Sequence, residues 1–262
     1  MESLTILNPD EFRSFLLIFM RVSVVLFLIP IFGNPMLPNL AKAGFSLIVT
    51  FLLFSVLKVD PALFPGNGVE TGMMIFCEVM VGVTLGLSVR IFLAGIQMAG
   101  ELIGFQMGFS MISVIDPQSG SNVSIIDQIG YWVVLVIFLL LDGHHIIFSA
   151  LADSFRIAPP GLFMLKAGLL KQMIHLTAEM FVVGIKITAP CLASLLFVDV
   201  AFGIMAKFAP TMNVMMVAFP IKIATGLLIF AFSLKIILLI TRGYLSHFYE
   251  QLASLLVLIA GG

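Results

Sequence analysis

Apolar residues fill most of this 262-residue chain in long runs that polar segments interrupt at a few places. About 20 residues of α-helix cross the hydrocarbon layer of a membrane, so runs of this length predict membrane-spanning helices. The pattern predicts helices over the following ranges: 14–33, 43–57, 73–115 divided into two at Arg90, 124–141, 173–206 and 214–240, followed by a weaker apolar run over 252–259. An all-α polytopic protein with six or seven spans is the conventional interpretation.

The first helix has a clear start signal in the order Asn8-Pro9-Asp10-Glu11. Asparagine is a favoured N-cap residue, and proline is favoured at the first helical position because its missing N–H has no partner there anyway. Acidic side chains in the first turn interact favourably with the helix dipole. We therefore expect this helix to begin at Pro9.

The composition supports a membrane location. Hydrophobic residues make up 61% of the chain and charged residues 10%, with a mean hydropathy of +1.18, whereas soluble domains contain about 45–50% apolar and about 25% charged residues. The 13 basic and 14 acidic residues nearly balance, which argues against a nucleic-acid partner. No segment resembles a separate soluble domain, so we expect residues 1–262 to form a single all-helical subunit.

Eight charged residues nevertheless interrupt the apolar runs. They are Arg21, Glu78, Glu101, Glu179, Lys186, Asp199, Lys222 and Lys235. At about 2.5–3.5 kcal/mol for each charge at the centre of a span, eight lipid-exposed charges would cost on the order of 20–28 kcal/mol. Some of these charges can reach the membrane surface and some can pair. Glu179 and Lys186 are seven residues apart and share a helical face, although at two turns apart they need not touch. We expect the remainder to face protein or a water-lined path, and many partner helices around the chain would provide this, which favours an oligomeric assembly.

The stretch Gln97–Asn122 begins as an apolar helix and ends as a polar loop. Gly100, Gly104 and Gly108 recur at every fourth residue, a spacing that lets helix backbones approach closely inside membranes. Glu101 lies between them, in a position that suits protein rather than lipid. These four residues are predicted to pack against other helices, and the turn-forming residues at 116–120 end the segment.

Motifs for catalysis are absent from the sequence. Asp142-Gly143-His144-His145 could offer metal ligands, but Gly143 breaks the helical spacing and no further ligand is nearby in the sequence. There is no phosphate-binding loop and no catalytic triad context. We therefore predict no enzyme activity, no cofactor and no metal. The alternatives from other classes are a stand-alone proton-coupled secondary transporter, whose buried acids would relay protons, and an intramembrane enzyme.

Four stretches occur in an order that resembles the FliR family of flagellar type III export-gate subunits. They are GELIGFQMGFS from Gly100, DPQSG from Asp116, LLLDGHHIIFSALADSF from Leu139 and APTMNVMMVAFPIKI from Ala209. The resemblance covers essentially the whole chain. It implies kinked helical hairpins packed in a hetero-oligomeric gate with FliP-like and FliQ-like subunits and an FlhB-like switch protein. Such a gate lies in the bacterial inner membrane, within the flagellar basal body, and passes unfolded flagellar proteins.

The resemblance also implies two sets of functional residues. A pore plug would comprise Phe109, Ser110, Met111, Ile112, Ser113, Val114, Ile115, Asp116, Pro117, Gln118, Ser119 and Gly120. A subunit-contact motif would comprise Pro210, Asn213, Phe219, Pro220 and Lys222. In this interpretation the apolar part of the plug seals the closed channel, and its supporting helix stays packed while the tip moves.

Overall fold

The computed structural model describes residues 9–33, 37–57, 67–108, 125–209, 211 and 213–261. These residues form helices joined by turns, without any strand among them. In chain order the helices are α1 (Pro9–Leu28), α2 (Pro30–Gly33), α3 (Asn39–Val56), α4 (Gly68–Met107), α5 (Ile125–Leu140), α6 (Gly143–Ile157), α7 (Ala167–Phe208) and α8 (Val214–Ala260). The predicted all-α class and the predicted start of α1 at Pro9 are confirmed.

Two helices continue past positions where the sequence pattern predicted an end. The predicted division at Arg90 is wrong: α4 continues through this residue, whose side chain is exposed and so demands no break. The predicted end of the last span at residue 240 is also wrong, because α8 continues to Ala260 with Arg242 exposed. Because the helices are continuous at Arg90 and at residue 240, the described part of the chain has fewer and longer helices than the six or seven predicted spans.

In the described part of the chain, four helices are long and apolar enough to cross a membrane. They are Asn39–Val56, Gly68–Met107, Ala167–Phe208 and Met216–Ala260. The α4, α7 and α8 helices contain 40, 42 and 47 residues, or about 60–70 Å at 1.5 Å per residue, roughly twice the thickness of the hydrocarbon layer. A straight helix of this length crossing perpendicular to a membrane would extend well beyond the hydrocarbon.

Specific residues define the helix ends and the weak points inside the helices. Asn67 caps α4, since its side-chain Oδ1 accepts a hydrogen bond from the backbone N–H of Val69 at 3.4 Å. Pro190 lies inside α7 and Pro220 inside α8. An interior proline donates no hydrogen bond to the preceding turn and clashes with it, so each marks a place where the helix bends or is weakened.

The chain divides into two compact units. The first unit comprises Met1–Ile91, Gly143–Leu176 and His247–Gly262, and the second comprises Phe92–Asp142 and Thr177–Ser246. Each unit is therefore assembled from segments distant in sequence. That residues 1–262 act as a single subunit without a separate soluble domain stays a prediction.

In the first unit, two glycines bring α4 close to α1. A Cβ built on Gly86 would lie 2.7 Å from Cβ of Leu28, and one built on Gly82 would lie 3.0 Å from Cβ of Val24 and 3.1 Å from the carbonyl oxygen of Arg21. Real Cβ atoms essentially never lie within 3.0 Å of a neighbour, so a side chain at Gly86 would force Leu28 or the helices to shift, and one at Gly82 would require its neighbours to move by a few tenths of an ångström. These glycines serve helix packing, and their four-residue spacing is typical of closely approaching helices.

This close approach brings together the most buried charges in the first unit. The Arg21 and Glu78 side chains are 0% exposed, and Nε and Nη2 of Arg21 donate to the two carboxylate oxygens of Glu78 at 2.7 and 3.0 Å. Arg21 also donates to the Ser154 hydroxyl and to the Ala158 carbonyl, both at 3.0 Å. The backbone N–H of Gly161 donates to Glu78 at 3.0 Å. These bonds join α1, α4, α6 and the following turn.

Removing one member of this ion pair should destabilise the protein strongly. Arg21→Met leaves the Glu78 carboxylate buried without its cation, and losses of about 3–5 kcal/mol are typical of such changes. Replacing both with methionine should cost less than either single change, since no charge is then left buried alone. Thermal unfolding in detergent, with the exposed Arg90→Met as control, provides the measurement. A single variant as stable as this control would contradict the prediction.

Candidate functional site

The candidate site lies in the second unit, where α4 ends and the segment 109–124 begins. Gly108 follows the last residue of α4, has a φ of 90° and donates its N–H to the Phe105 carbonyl at 3.0 Å. A Cβ built there would lie 2.8 Å from Cε2 of Phe219 in α8. Glycine is required here both for the left-handed backbone and for the ring beside it. Gly108 thus lies just past the helix end, instead of continuing the glycine face of the helix.

The residue before this turn, Met107, holds the end of α4 against α8. Its side chain is 0% exposed, and a Cβ built on Gly226 would lie 2.7 Å from its Cγ. The absence of a side chain at Gly226 therefore provides the space that Met107 occupies. This contact is apolar and packs the end of α4 against α8.

A polar cluster lies beside the apolar contact. The Gln106 amide donates to Oδ2 of Asp199 at 3.0 Å, and the Lys222 ammonium forms an ion pair with Oδ1 of the same carboxylate. The three side chains come from α4, α7 and α8. The Lys222 and Asp199 side chains are 23% and 34% exposed, so water reaches this ion pair. The cluster therefore ties three helices together at the base of the 109–124 segment.

The α7 and α8 helices form an antiparallel hairpin within the second unit. The Tyr244 hydroxyl donates to the Glu179 carbonyl at 3.5 Å, and the Cys191 sulfur and the Ser233 hydroxyl oxygen are 3.6 Å apart. Together with the ion pair between Asp199 and Lys222, these contacts join residues of increasing number in α7 to residues of decreasing number in α8, as in an antiparallel pair. The hairpin expected from the resemblance is present, and one interior proline lies in each of its helices.

Two of the three glycines predicted to form one face of α4 lie inside the helix, and the third, Gly108, lies just past its end. Gly100 and Gly104 are buried. Glu101 is exposed, and its carboxylate accepts a hydrogen bond from the Gln97 amide at 3.1 Å. Within this chain, Glu101 therefore faces outwards next to a buried glycine face.

Sequence reasoning missed the closest approach of α4 to α7. A Cβ built on Gly184 would lie 2.8 Å from the carbonyl oxygen of Gly95, and one built on Gly95 would lie 2.8 Å from the carbonyl oxygen of Met180. Both glycines therefore lie against backbone, which cannot rotate away as a side chain can. Each is isolated from other glycines at four-residue spacing, so only the folded pair shows their role.

The remaining predicted site residues lie at the start of α8 or outside the described residues. Asn213 is exposed, and its carbonyl accepts a hydrogen bond from the Met216 N–H at 3.1 Å. Pro220 is also exposed. Phe219 and Lys222 make the contacts with Gly108 and Asp199 described above. Pro210 and the predicted plug residues 109–120 lie outside the described residues.

The two histidines considered as metal ligands pack ring against ring. The ring centroids of His144 and His145 are 4.2 Å apart at an interplanar angle of 41°. This contact is compatible with packing at the start of α6. The absence of a metal and of a cofactor stays a prediction.

Comparison with known proteins identifies the family. The family described as "Bacterial export proteins, family 1" matches residues 12–248, most of the chain. The chain belongs to this family. The flagellar biosynthetic protein FliR of Bacillus subtilis (strain 168) is 32% identical to it over 253 residues, which cover 95% of this chain and 97% of the relative.

More distant relatives match this bacterial export protein over a similar length. The flagellar biosynthetic protein FliR of Aquifex aeolicus (strain VF5) is 26% identical over 93% of this chain and 94% of the relative. The protein of the same name from Escherichia coli (strain K12) is 25% identical over 90% of this chain and 88% of the relative. The resemblance predicted from the four sequence stretches is confirmed.

The glycine at the α4–α7 contact provides a test of the site geometry. Gly184→Ala should destabilise this bacterial export protein by about 1–3 kcal/mol, because the new methyl group meets a backbone carbonyl. Gly203→Ala in the same helix is the matched control, since a Cβ there has no neighbouring atom within 4 Å. It should stabilise by up to about 1 kcal/mol through helix propensity. Thermal unfolding of the two variants should therefore shift in opposite directions, and a shared shift would contradict the assigned contact.

Proposed function

We propose that this chain is a structural pore subunit of the flagellar type III protein export gate. It assembles with FliP-like and FliQ-like subunits and an FlhB-like switch protein in the bacterial inner membrane, within the flagellar basal body. The gate conducts unfolded flagellar proteins, and this chain contributes binding surfaces and a plug, not catalysis. Support comes from the family, from the printed names of relatives that match over nearly their whole length, and from the surface of the helices.

The observation that carries the assembly part is the apolar surface left uncovered on long helices. Only 17% of the residues in the apolar window of α3 and 22% of those in the window of α8 are buried within the chain. Large side chains such as Phe51, Phe197 and Phe232 are 68–76% exposed. So many exposed large apolar side chains indicate contact with lipid or with protein.

Charged residues on the same helices favour protein as the covering material. Lys186 on α7 and Lys235 on α8 are exposed within the apolar runs and form no ion pair in the described part of the chain. In lipid each would cost about 2.5–3.5 kcal/mol at the centre of a span. Partner helices that supply acceptors remove this penalty. In the motif at the start of α8, Asn213 and Pro220 are exposed and so available to a partner.

The position of Gly108 supports the plug part of the proposal. Residues 109–120 follow a glycine turn that is held by Met107, Phe219 and the polar cluster at Asp199. A loop can occupy one defined position in a pore only if the residues directly before it are held in place. In the proposed closed state, apolar residues 109–115 exclude water and ions, and the polar tip at 116–120 moves aside during export.

Co-purification separates this function from that of a stand-alone proton-coupled transporter. When the chain is expressed with FliP-like and FliQ-like proteins, it should leave the membrane in detergent as one large complex. A transporter would instead run as a stable monomer or dimer with its exposed apolar faces covered by detergent. Size-exclusion chromatography with light scattering gives the mass. A monomer in the presence of all partners would refute the assembly.

Deleting Ser110–Gly120 tests the plug. The complex should still assemble, because the deleted residues lie beyond the contacts at Met107 and Gly108, but ions should leak across the membrane. Replacing the same residues with a Gly-Ser linker of equal length should also cause a leak, since the linker lacks the apolar seal. Membrane conductance in cells expressing the intact, deleted and replaced forms is the measurement. Conductance equal to that of the intact form would refute the plug.

A further inference from the structure

We propose that Lys186 of α7 and Lys235 of α8 bind carboxylate groups of a partner subunit, whose apolar helices carry aspartate or glutamate at the depth of these two lysines. This inference rests on the proposed function, because it specifies the chemistry of the protein surface that covers the α7–α8 hairpin in the assembled gate. Three features of the hairpin support it: the level of the lysines, the direction in which they point and a nearby proline.

The two lysines lie at nearly the same level of the hairpin. The contact between Cys191 and Ser233 shows which residues of the antiparallel helices lie side by side. Lys186 comes five residues before Cys191, and Lys235 comes two residues after Ser233, so both lie on the same side of this contact. Their levels differ by about 4.5 Å along the helix axis, which is less than one helical turn. Two positive charges therefore occupy one layer of the hairpin.

Each lysine interrupts a stretch that is otherwise without charge. Lys186 is the only charged residue in 180–198 of α7, and Lys235 is the only one in 223–241 of α8. A helical stretch of this length extends over about 28 Å, close to the thickness of the hydrocarbon layer of a membrane. Both side chains are exposed and form no ion pair in the described part of the chain. The two ammonium groups therefore require acceptors from another molecule.

Lipid head groups are the alternative acceptors, and the geometry of the hairpin disfavours them. A lysine in a lipid-facing helix reaches the head groups by extending its stem towards the nearer membrane surface. Cα–Cβ bonds point towards the N-terminus of their helix, so in an antiparallel hairpin Lys186 and Lys235 point towards opposite ends. Lys235 points away from Arg242, the nearest charged residue along α8. Head groups at one membrane surface therefore cannot accept from both lysines.

Pro190 creates a second requirement at the same level. Proline has no N–H, so the carbonyl of Lys186, four residues earlier, lacks the donor that a regular helix would supply. Acyl chains of lipids provide neither an acceptor for an ammonium group nor a donor for a carbonyl, whereas polar side chains of packed helices provide both. Carboxylates are the side chains that complement two cations. The surface therefore fits a partner with acidic residues inside its own apolar runs.

The test measures how much of the chain enters the complete complex. The chain is expressed with FliP-like, FliQ-like and FlhB-like proteins, and size-exclusion chromatography in detergent gives the ratio of bound to free chain. Lys186→Met and Lys235→Met should each lower this ratio by roughly thirtyfold or more, because each leaves a partner carboxylate buried without its cation. Lys186→Arg and Lys235→Arg retain the positive charge and should assemble better than the methionine variants.

Two controls separate this contact from a general loss of stability. Lys207→Met removes an exposed lysine from the last turn of α7 and should leave the ratio unchanged, because residue 207 lies at the end of the helix. The isolated chain should unfold at the same temperature with Lys186→Met or Lys235→Met as without them, since neither ammonium group has an ion pair in the described residues. A loss that occurs only with the partners present then reports the proposed contact.

Cross-linking identifies the acidic residues. A hydrophobic carbodiimide activates a carboxylate in apolar surroundings, and an adjacent lysine displaces the activating group as a urea and forms an amide. Mass spectrometry of the complex should find Lys186 and Lys235 joined to aspartate or glutamate of a partner. The arginine variants should lack these peptides, because a guanidinium does not form the amide.

Two results would overturn the proposal. One is assembly of the methionine variants equal to or better than that of the parent, which is the result expected if lipid covers the lysines. The other is cross-linking of the two lysines to carboxylates of their own chain alone, or to none. Failure of the proposed function gives a different result, since the parent chain itself would then form no large complex with the partner proteins.

Discussion

The buried ion pair of Arg21 and Glu78 is the constraint on which the first unit depends. Removing a guanidinium and a carboxylate from water costs several kcal/mol for each ion, and only close pairing with full hydrogen bonding compensates for it. Glu78, Gly82 and Gly86 recur at every fourth residue and so lie on one face of α4. The glycines let α1 come near enough for two short bonds to the carboxylate. The packing of the backbones and the pairing of the charges therefore require each other.

The second unit also contains a carboxylate paired with a cation, but under different conditions. Asp199 and Lys222 also form an ion pair inside apolar runs, but theirs is partly open to water and shared with the uncharged Gln106. A pair with no exposed surface holds one arrangement, since every alternative leaves a bare charge. A pair in contact with water has alternatives of nearly equal free energy. The Arg21–Glu78 pair therefore has one favourable arrangement, whereas the Asp199–Lys222 pair can exchange its contacts for water at small cost.

The sequence was sufficient for the helical class, for the start of α1, for the membrane character and, through four ordered motifs, for the family. Apolar runs, capping residues and motif order are visible in the sequence itself and do not depend on which distant residues the fold brings together. The ion pairs could not be read in this way. Arg21, Glu78, Asp199 and Lys222 were all recognised as charges inside apolar runs, yet the sequence spacing placed only Glu179 and Lys186 on one helical face and identified no ion pair. Partners 57 residues apart are chosen by the fold. The contact between Gly95 and the helix of Gly184 was missed for the same reason. The helix break predicted at Arg90 was wrong because an exposed arginine does not end a helix.

The separation of the Arg21 partners along the chain has a consequence for biosynthesis. Glu78 is 57 residues and Ala158 is 137 residues beyond Arg21. At about 5–20 residues per second, ribosomes need roughly 3–11 s to reach the first partner and roughly 7–27 s to reach the second. During that interval α1 carries an unpaired arginine, which lipid would penalise by about 2.5–3.5 kcal/mol at the centre of a span. Helix α1 is therefore synthesised well before its final environment exists, and newly made chains depend on a surrounding that tolerates an unpaired charge until residues 154–161 have emerged.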